Sequence, residues 1–226
     1  ARDRLGEKPF FYCINGNELL FASEMKALWA AGVEKRLNER LAYNFITLGY
    51  TQNPANGSET ACQGIYKLPA ACFFTCSVRS ASSITAQNYW RVATGIDIAI
   101  SDADAIDKFT ALFQQSIKRR LRSDVAVGTS LSGGLDSSSI AATIKQLQPA
   151  ARLQTFSAVF PGSKADESYY SKLIAIQTGF DNNTIEPTAE HIVTGFDKFF
   201  YQHEGFMSSS SLSPQNKLFL LAKQQR

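Results

Sequence analysis

Val127-Gly128-Thr129-Ser130-Leu131-Ser132-Gly133-Gly134-Leu135-Asp136-Ser137-Ser138-Ser139-Ile140 runs from a short apolar strand through a loop of small residues into a helix. On that helix Ile140, Ile144 and Leu147 recur at helical spacing and form one apolar side. Two adjacent glycines between strand and helix let the backbone turn sharply and present its N–H groups. The helix start adds the positive end of its dipole, so the loop favours an anion, most simply a phosphate. No Gly-Lys-Ser/Thr follows, so this is not the Walker pattern. Hydroxyls and the carboxylate of Asp136 stand in place of the lysine. A carboxylate beside phosphates repels them unless a divalent cation lies between, so Asp136 implies magnesium.

Ser132-Gly133-Gly134-Leu135-Asp136-Ser137 resembles the SGGxDS pyrophosphate loop of the ATP pyrophosphatases. The longer run Arg120 to Ser139 is similar to the glutamine-hydrolysing asparagine synthetases among them. The resemblance implies cleavage of ATP between its α and β phosphates to form an acyl-adenylate. It implies an ATP and pyrophosphate site made of Leu131, Ser132, Gly133, Gly134, Leu135, Asp136, Ser137, Ser138 and Ala158. Within that set, main-chain groups of Leu131 and Ala158, at the ends of two strands, are expected at the adenine.

A second match lies about a hundred residues upstream. Arg2-Asp3-Arg4-Leu5-Gly6-Glu7-Lys8-Pro9, followed by Phe21-Ala22-Ser23-Glu24-Met25-Lys26-Ala27-Leu28, resembles the RDxxGxKPLYY and FASExKAL patterns of the same family's glutaminase domain. The resemblance makes Asp3 a ligand of the amino group of substrate glutamine. Read without it, Arg2-Asp3-Arg4 is a solvated charge cluster at a terminus.

The intervening chain supplies its own signals. Phe10–Ile14 and Glu18–Ala22 read as strands joined by Asn15-Gly16-Asn17, with Asn-Gly accepting positive φ. Ser23 is expected to cap a helix over Glu24–Ala31, and Asn38 a second one ending at Gly49 with Leu41, Phe45 and Leu48 on one face. Strands are expected at Ile65–Pro69 and Cys72–Val78, with Pro69-Ala70-Ala71 where the family has Pro-Pro-Gly, so that turn must be built differently. Gln87-Asn88-Tyr89-Trp90 matches the end of the glutaminase region. Ser101 and Asp104 open a long helix with Ile106, Phe109, Phe113, Ile117 and Leu121 as its buried stripe and a basic final turn. Strands at Leu153–Phe160 and Asn183–Glu186 alternate with helices at Glu167–Thr178 and from Ala189 to about Tyr201, and a last helix opens at Ser213-Pro214. Such alternation implies a parallel, right-handed, Rossmann-like sheet with its ligand at the carboxyl ends of the strands.

The expected fold class is therefore α/β. Residues 1–93 would be the C-terminal part of an N-terminal-nucleophile glutaminase sandwich and 94–102 a linker. Residues 103–226 would be an incomplete Rossmann-like ATP-pyrophosphatase domain. The chain begins at Ala1 rather than with the N-terminal cysteine nucleophile of the family, and it stops before the second acidic motif, SGEGSDE or DGQGxDE. No catalytic residue is assigned within it, and alone it is expected to be inactive.

In the whole protein the resemblance implies hydrolysis of glutamine, activation of aspartate by ATP with magnesium as β-aspartyl-AMP, and displacement of AMP by ammonia to give asparagine. Two other readings stay open: a β-lactam or macrolactam synthetase-like relative using the same loop, and a non-catalytic remnant. Glu204 and Ser208-Ser209-Ser210-Ser211 stand near the family's substrate pocket, with no role assigned.

Of the 226 residues 44% are apolar and 19% charged, with a net charge of +3, the profile of a soluble protein and too mild for nucleic-acid binding. No apolar run reaches membrane-span length. Cys13, Cys62, Cys72 and Cys76 form no Cys-x-x-Cys pair, which fits free thiols in a reducing cytoplasm while leaving a disulfide open. The partners expected are small molecules, namely aspartate, glutamine and ATP, with a homodimer suggested by the family alone.

Overall fold

Strands β1 (Phe11–Asn15) and β2 (Glu18–Ala22) pair antiparallel, with Asn15 opposite Glu18, so the hairpin turns on Gly16-Asn17. Of the Asn15-Gly16 pair only Gly16 takes positive φ, at 62°, and the two-residue turn lies one position later than that pair. The description comes from a computed structural model and covers residues 1–77, 84–96, 99–164, 166–209 and 211–225. The expected strand end at Val78, part of the expected linker, Ser210 and Arg226 lie outside the described residues.

The chain forms two units, Ala1–Gly95 with Asp197–Ser209, and Ile96–Phe196 with Ser210–Arg226. In the first, β1 is the central strand of a sheet ordered β2-β1-β3, with β3 reduced to Tyr66–Lys67. Neighbouring residues of β1 point to opposite faces. Tyr12 accordingly packs with Leu68 and Cys72, whereas Cys13 packs with Met25, Leu28, Cys62 and Ile65. Burial on both sides explains an apolar β1 that does not alternate. Cys13, Cys62 and Cys72 are buried free thiols, and burial pushes Cys13 and Cys62 above the ordinary thiol range.

Helix α1 spans Met25–Ala30 and α2 spans Glu39–Leu48. Asn38 caps α2 by accepting the Leu41 amide, and Gly49 ends it at φ 73°, as the sequence implies. Leu41 is buried on α2, but Leu48 is exposed and does not complete the expected face. The Ser23 cap of α1 is not formed. Glu24 is the N-cap residue, and no neighbouring side chain bonds the helix start. Strands β4 (Cys72–Phe73) and β5 (Gln87–Asn88) pair antiparallel, and β4 is shorter than the strand expected from Cys72. The altered turn before β4 is built with Ala71 at φ 55°, a conformation glycine would take without strain.

In the second unit α3 covers Asp102–Arg120, capped by Ser101, whose hydroxyl accepts the Asp104 amide. Only the C-terminal half of its apolar stripe is buried. Ile117 joins the core with Phe113 and Leu121 against it, while Ile106 and Phe109 are about two-thirds exposed, at 64% and 66%. Periodicity reports an apolar face but not what covers it. The sheet of β6 (Gly128–Ser130), β7 (Gln154–Ala158) and β8 (Asp181–Ile185) is parallel in the order β6-β7-β8. The helices α4 (Leu135–Leu147), α5 (Ser168–Thr178), α6 (Ala189–His203) and α7 (Leu212–Gln224) alternate with or follow these strands, and α6 from Asp197 onward belongs to the first unit. Ala141 and Ile144 of α4 pack with Ile117, Leu131, Leu153, Ala175 and Phe180. Among the described residues no helix is long and apolar enough to cross a membrane.

Candidate functional site

Strand β6 ends at Ser130, and Leu131 carries the chain into the loop that starts α4. The Leu131 side chain is wholly buried, its N–H donates to the Phe156 carbonyl at 2.8 Å, and its carbonyl accepts the Ser157 hydroxyl at 2.5 Å. The loop then folds on itself. Ser137 Oγ accepts the Ser132 amide, lies 3.0 Å from Ser132 Oγ and donates to the Gly134 carbonyl. Ser132 Oγ in turn accepts the Gly134 amide at 3.2 Å.

Gly133 has φ 91°, and a Cβ there would lie 2.6 Å from both the Ser171 amide nitrogen and the Tyr170 Cβ. Only glycine satisfies that backbone and that approach to α5 together. Gly134 has φ −67° and is the N-cap of α4, without a side-chain cap. The first amides of α4 are therefore left to solvent or a ligand, at the positive end of a 13-residue helix. Asp136 and Leu135 are exposed beside them. The hydroxyl of Ser138 is buried without a hydrogen-bond partner. An uncapped helix start, a glycine cradle and an orphaned hydroxyl suit a phosphate group.

Among the described residues no three His, Cys, Asp or Glu side chains gather as a metal site. Asp136 is thus the lone carboxylate of the loop, which fits a magnesium ion that takes most of its ligands from phosphate and water. Ala158 ends β7, opposite Ile185. The sequence-assigned residues Leu131–Ser138 and Ala158 therefore lie along the carboxyl ends of two paired parallel strands.

Asp166 was not singled out in the sequence. Its carboxylate accepts the amides of Phe160 and Ser168 and the Ser168 hydroxyl, holding the turn that leads into α5. The Phe160 and Ser168 bonds hold its carboxyl below the usual range. An aspartate two residues before a serine at a helix start is a signal that could have found it.

Asp3 lies in the other unit. Its carboxylate accepts the amides of Lys8, Glu7 and Leu5, and these bonds, led by Lys8, lower its pKa. Arg2 donates to the carbonyls of Lys8, Leu68 and Gly6. Arg4 stacks over Trp90. The solvated-cluster reading of Arg2-Asp3-Arg4 is therefore corrected: Arg2 and Asp3 tie the first turn to the strands because main-chain donors and acceptors converge on them.

Over residues 108–226 the chain matches the asparagine synthase family, and over residues 1–90 the glutamine amidotransferase domain family. It is 33% identical over 202 residues to "Asparagine synthetase [glutamine-hydrolyzing] 3" of Bacillus subtilis, covering 88% of this chain and 31% of that one. It is 25% identical to "Asparagine synthetase [glutamine-hydrolyzing] 1" of the same organism, covering 99% of this chain and 34% of that one. A Methanocaldococcus jannaschii protein provisionally named for the same activity is 33% identical, covering 77% of this chain and 33% of that one. The chain spans about a third of the length of the curated relatives it matches. On the match over residues 108–226, this chain belongs to the asparagine synthase family.

Proposed function

We propose that this chain carries the nucleotide-binding loop of an ATP-dependent, glutamine-hydrolysing asparagine synthetase. The observation that carries the reading is the uncapped start of α4 behind Gly133, at the carboxyl end of a parallel strand. The order of the two family matches supports a glutaminase region followed by a synthetase region.

In this reading Ser132, Ser137 and Ser138 and the first amides of α4 bind and orient the pyrophosphate end of ATP. Binding is by positioning and fixed dipoles, so no serine need be a nucleophile. Leu131 and Ala158 border the adenine, and Asp136 faces the metal. Asp136 would hold magnesium, which when bound would supply positive charge to offset the repulsion between a carboxylate and phosphate. The whole protein would activate aspartate as β-aspartyl-AMP and convert it to asparagine with ammonia from glutamine, whose amino group Asp3 would meet. Asp3 retains acceptor capacity beyond its three amide bonds, because an ionised carboxylate offers about four lone-pair sites. A cytoplasmic setting accords with the buried free thiols.

The test is a titration of the chain with ATP, with and without magnesium, followed by amide NMR shifts. Magnesium-dependent shifts centred on Ser132–Ser138 are expected, and they should be lost in Asp136→Asn. Shifts indifferent to magnesium or to that substitution would remove the assigned role of Asp136, and an unperturbed loop would remove the reading itself.

A further inference from the structure

Strand β7 is central in the parallel sheet, yet two of its buried residues are polar. Thr155 and Ser157 lie two apart on one face and are 0% and 1% exposed. Hydroxyls buried this deeply require partners. Ser157 Oγ lies 2.5 Å from the Leu131 carbonyl oxygen and 2.9 Å from Asn182 Oδ1. Thr155 Oγ1 lies 2.9 Å from the same Oδ1 and 3.3 Å from the Asp181 carbonyl oxygen. Each hydroxyl thus faces two oxygens with one proton to give.

Exchanging the two ends of the Asn182 amide satisfies both hydroxyls. The amide nitrogen then donates one proton to each hydroxyl. Ser157 passes its own proton to the Leu131 carbonyl, and Thr155 passes its own to the Asp181 carbonyl. Four bonds use four protons, and no acceptor is left facing another acceptor.

We propose that Ser157 and Asn182 are positioning residues for the Ser132–Ser137 loop. The proposal rests on the reading of that loop as a phosphate site, but its structural half can be judged without it. Leu131 is the last residue before the loop, and both its main-chain polar groups are clamped to β7, the amide by Phe156 and the carbonyl by Ser157. The peptide plane from which Ser132 departs is thereby fixed. Beyond it the loop is held by bonds among Ser132, Gly134 and Ser137 and by the approach of Gly133 to Tyr170 and Ser171. The clamp at Leu131 therefore sets where the hydroxyls of the loop stand relative to the sheet. The Thr155 branch ends on β8 instead and does not touch the loop, so the two hydroxyls of one strand have separable effects.

The experiment compares Ser157→Ala, Asn182→Asp and the unaltered chain by residue-resolved amide exchange and by calorimetric titration with ATP and magnesium. Loss of one such bond should speed exchange of the Ser132 and Gly134 amides roughly two- to tenfold. The Thr184 and Ile185 amides of β8 should keep their rates in Ser157→Ala. Affinity for ATP with magnesium should fall by a similar factor. Asn182→Asp should loosen the loop in the same way, because a carboxylate cannot donate to Ser157. Exchange that rises evenly across the sheet, or a loop that stays as slow as before, overturns the positioning role. An Asn182→Asp chain with an unaltered loop overturns the donor assignment. If the unaltered chain binds no ATP, the phosphate reading falls, and the exchange rates alone decide whether Ser157 and Asn182 hold the loop.

Discussion

Glu204 caps helix α1 from 179 residues away: its Oε2 accepts the Met25 amide at 2.7 Å. Oε1 accepts the Lys26 amide at 2.9 Å and pairs with Lys26 Nζ at 2.9 Å. The Glu204 side chain is 6% exposed, and its backbone sits at φ 59°, a conformation that residues with a Cβ rarely adopt. Burial presses the Lys26 ammonium down, but the bonds and charges of Glu204 and Glu24 outweigh it, and its pKa rises.

Removing the carboxylate leaves the Met25 and Lys26 amides without their acceptor and the Lys26 ammonium with the exposed Glu24 carboxylate alone. Glu204→Ala is expected to destabilise the chain by about 2–4 kcal/mol, from charge-assisted hydrogen bonds and a broken ion pair. Glu204→Gly loses the same bonds and relieves about 1–2 kcal/mol of left-handed strain, but gives back about as much in chain entropy and the missing methyl, so it should match Glu204→Ala to within about 0.5 kcal/mol. Urea unfolding of the two variants gives the comparison, and a Glu204→Gly chain less stable than Glu204→Ala by more than about 1 kcal/mol would mean that φ at this residue carries no strain.

The Asp3 carboxyl titrates below its unfolded value because Lys8, Glu7 and Leu5 amides bond the charged form. A depressed carboxylate contributes stability above its unfolded pKa of about 3.9 and loses it as pH falls through the folded value. Asp166 acts in the same direction in the other unit. Stability should therefore fall on acidification below about pH 4, and Asp3→Asn should flatten part of that fall. Unfolding midpoints measured from pH 6 to pH 2 test this, and an unchanged acid slope in Asp3→Asn would assign the loss to other groups.

Ala71 occupies a position that favours glycine, since its φ is 55° and its side chain is 4% exposed. Its amide donates to the Asp3 carbonyl and its carbonyl accepts the Tyr89 amide, which holds it in place. Ala71→Gly would relieve about 1–2 kcal/mol of left-handed strain. Against this stand about 0.8 kcal/mol for the lost buried methyl and 0.5–1 kcal/mol of added chain entropy. The substitution should be neutral to within about 0.5 kcal/mol, whereas Ala71→Val should cost more than about 2 kcal/mol because a β-branched residue resists this φ. Thermal unfolding distinguishes the pair.

The adjacent loop glycines should differ sharply. A methyl at Gly133 meets the α5 backbone at 2.6 Å, whereas one at Gly134 meets only Ser132 Oγ at 3.3 Å. Gly133→Ala should lower stability by about 2–4 kcal/mol and abolish ATP binding, combining left-handed strain with a clash against backbone. Gly134→Ala should fold within about 1 kcal/mol of the parent, because its φ is ordinary and a serine rotamer can yield. Similar losses in both would contradict the packing of Gly133 on Tyr170 and Ser171.

Features that depend on near neighbours were legible in the amino-acid order. The β1–β2 hairpin, the Asn38 and Ser101 caps, the glycine stop at Gly49 and the strand–loop–helix around Gly133 all arise from side chains and dihedrals within a few residues. Alternating strand and helix signals likewise implied the parallel sheet that β6, β7 and β8 form.

Choices among distant partners were not legible. Ser23 offered a cap beside α1, but Glu204 took that place. Ile106 and Phe109 continue a perfect apolar stripe on α3, yet stay exposed while Ile117 is buried. Thr155 and Ser157 look like ordinary strand residues until Leu131 and Asn182 come within reach of them. The Ser132–Ser137 loop was named by its own residues. Its footing on Ser157 and its contact with α5 came from the packing of chain segments about 25 and 40 residues onward, because burial and bond partners depend on proximity in space, which the spacing of residues along one segment does not encode.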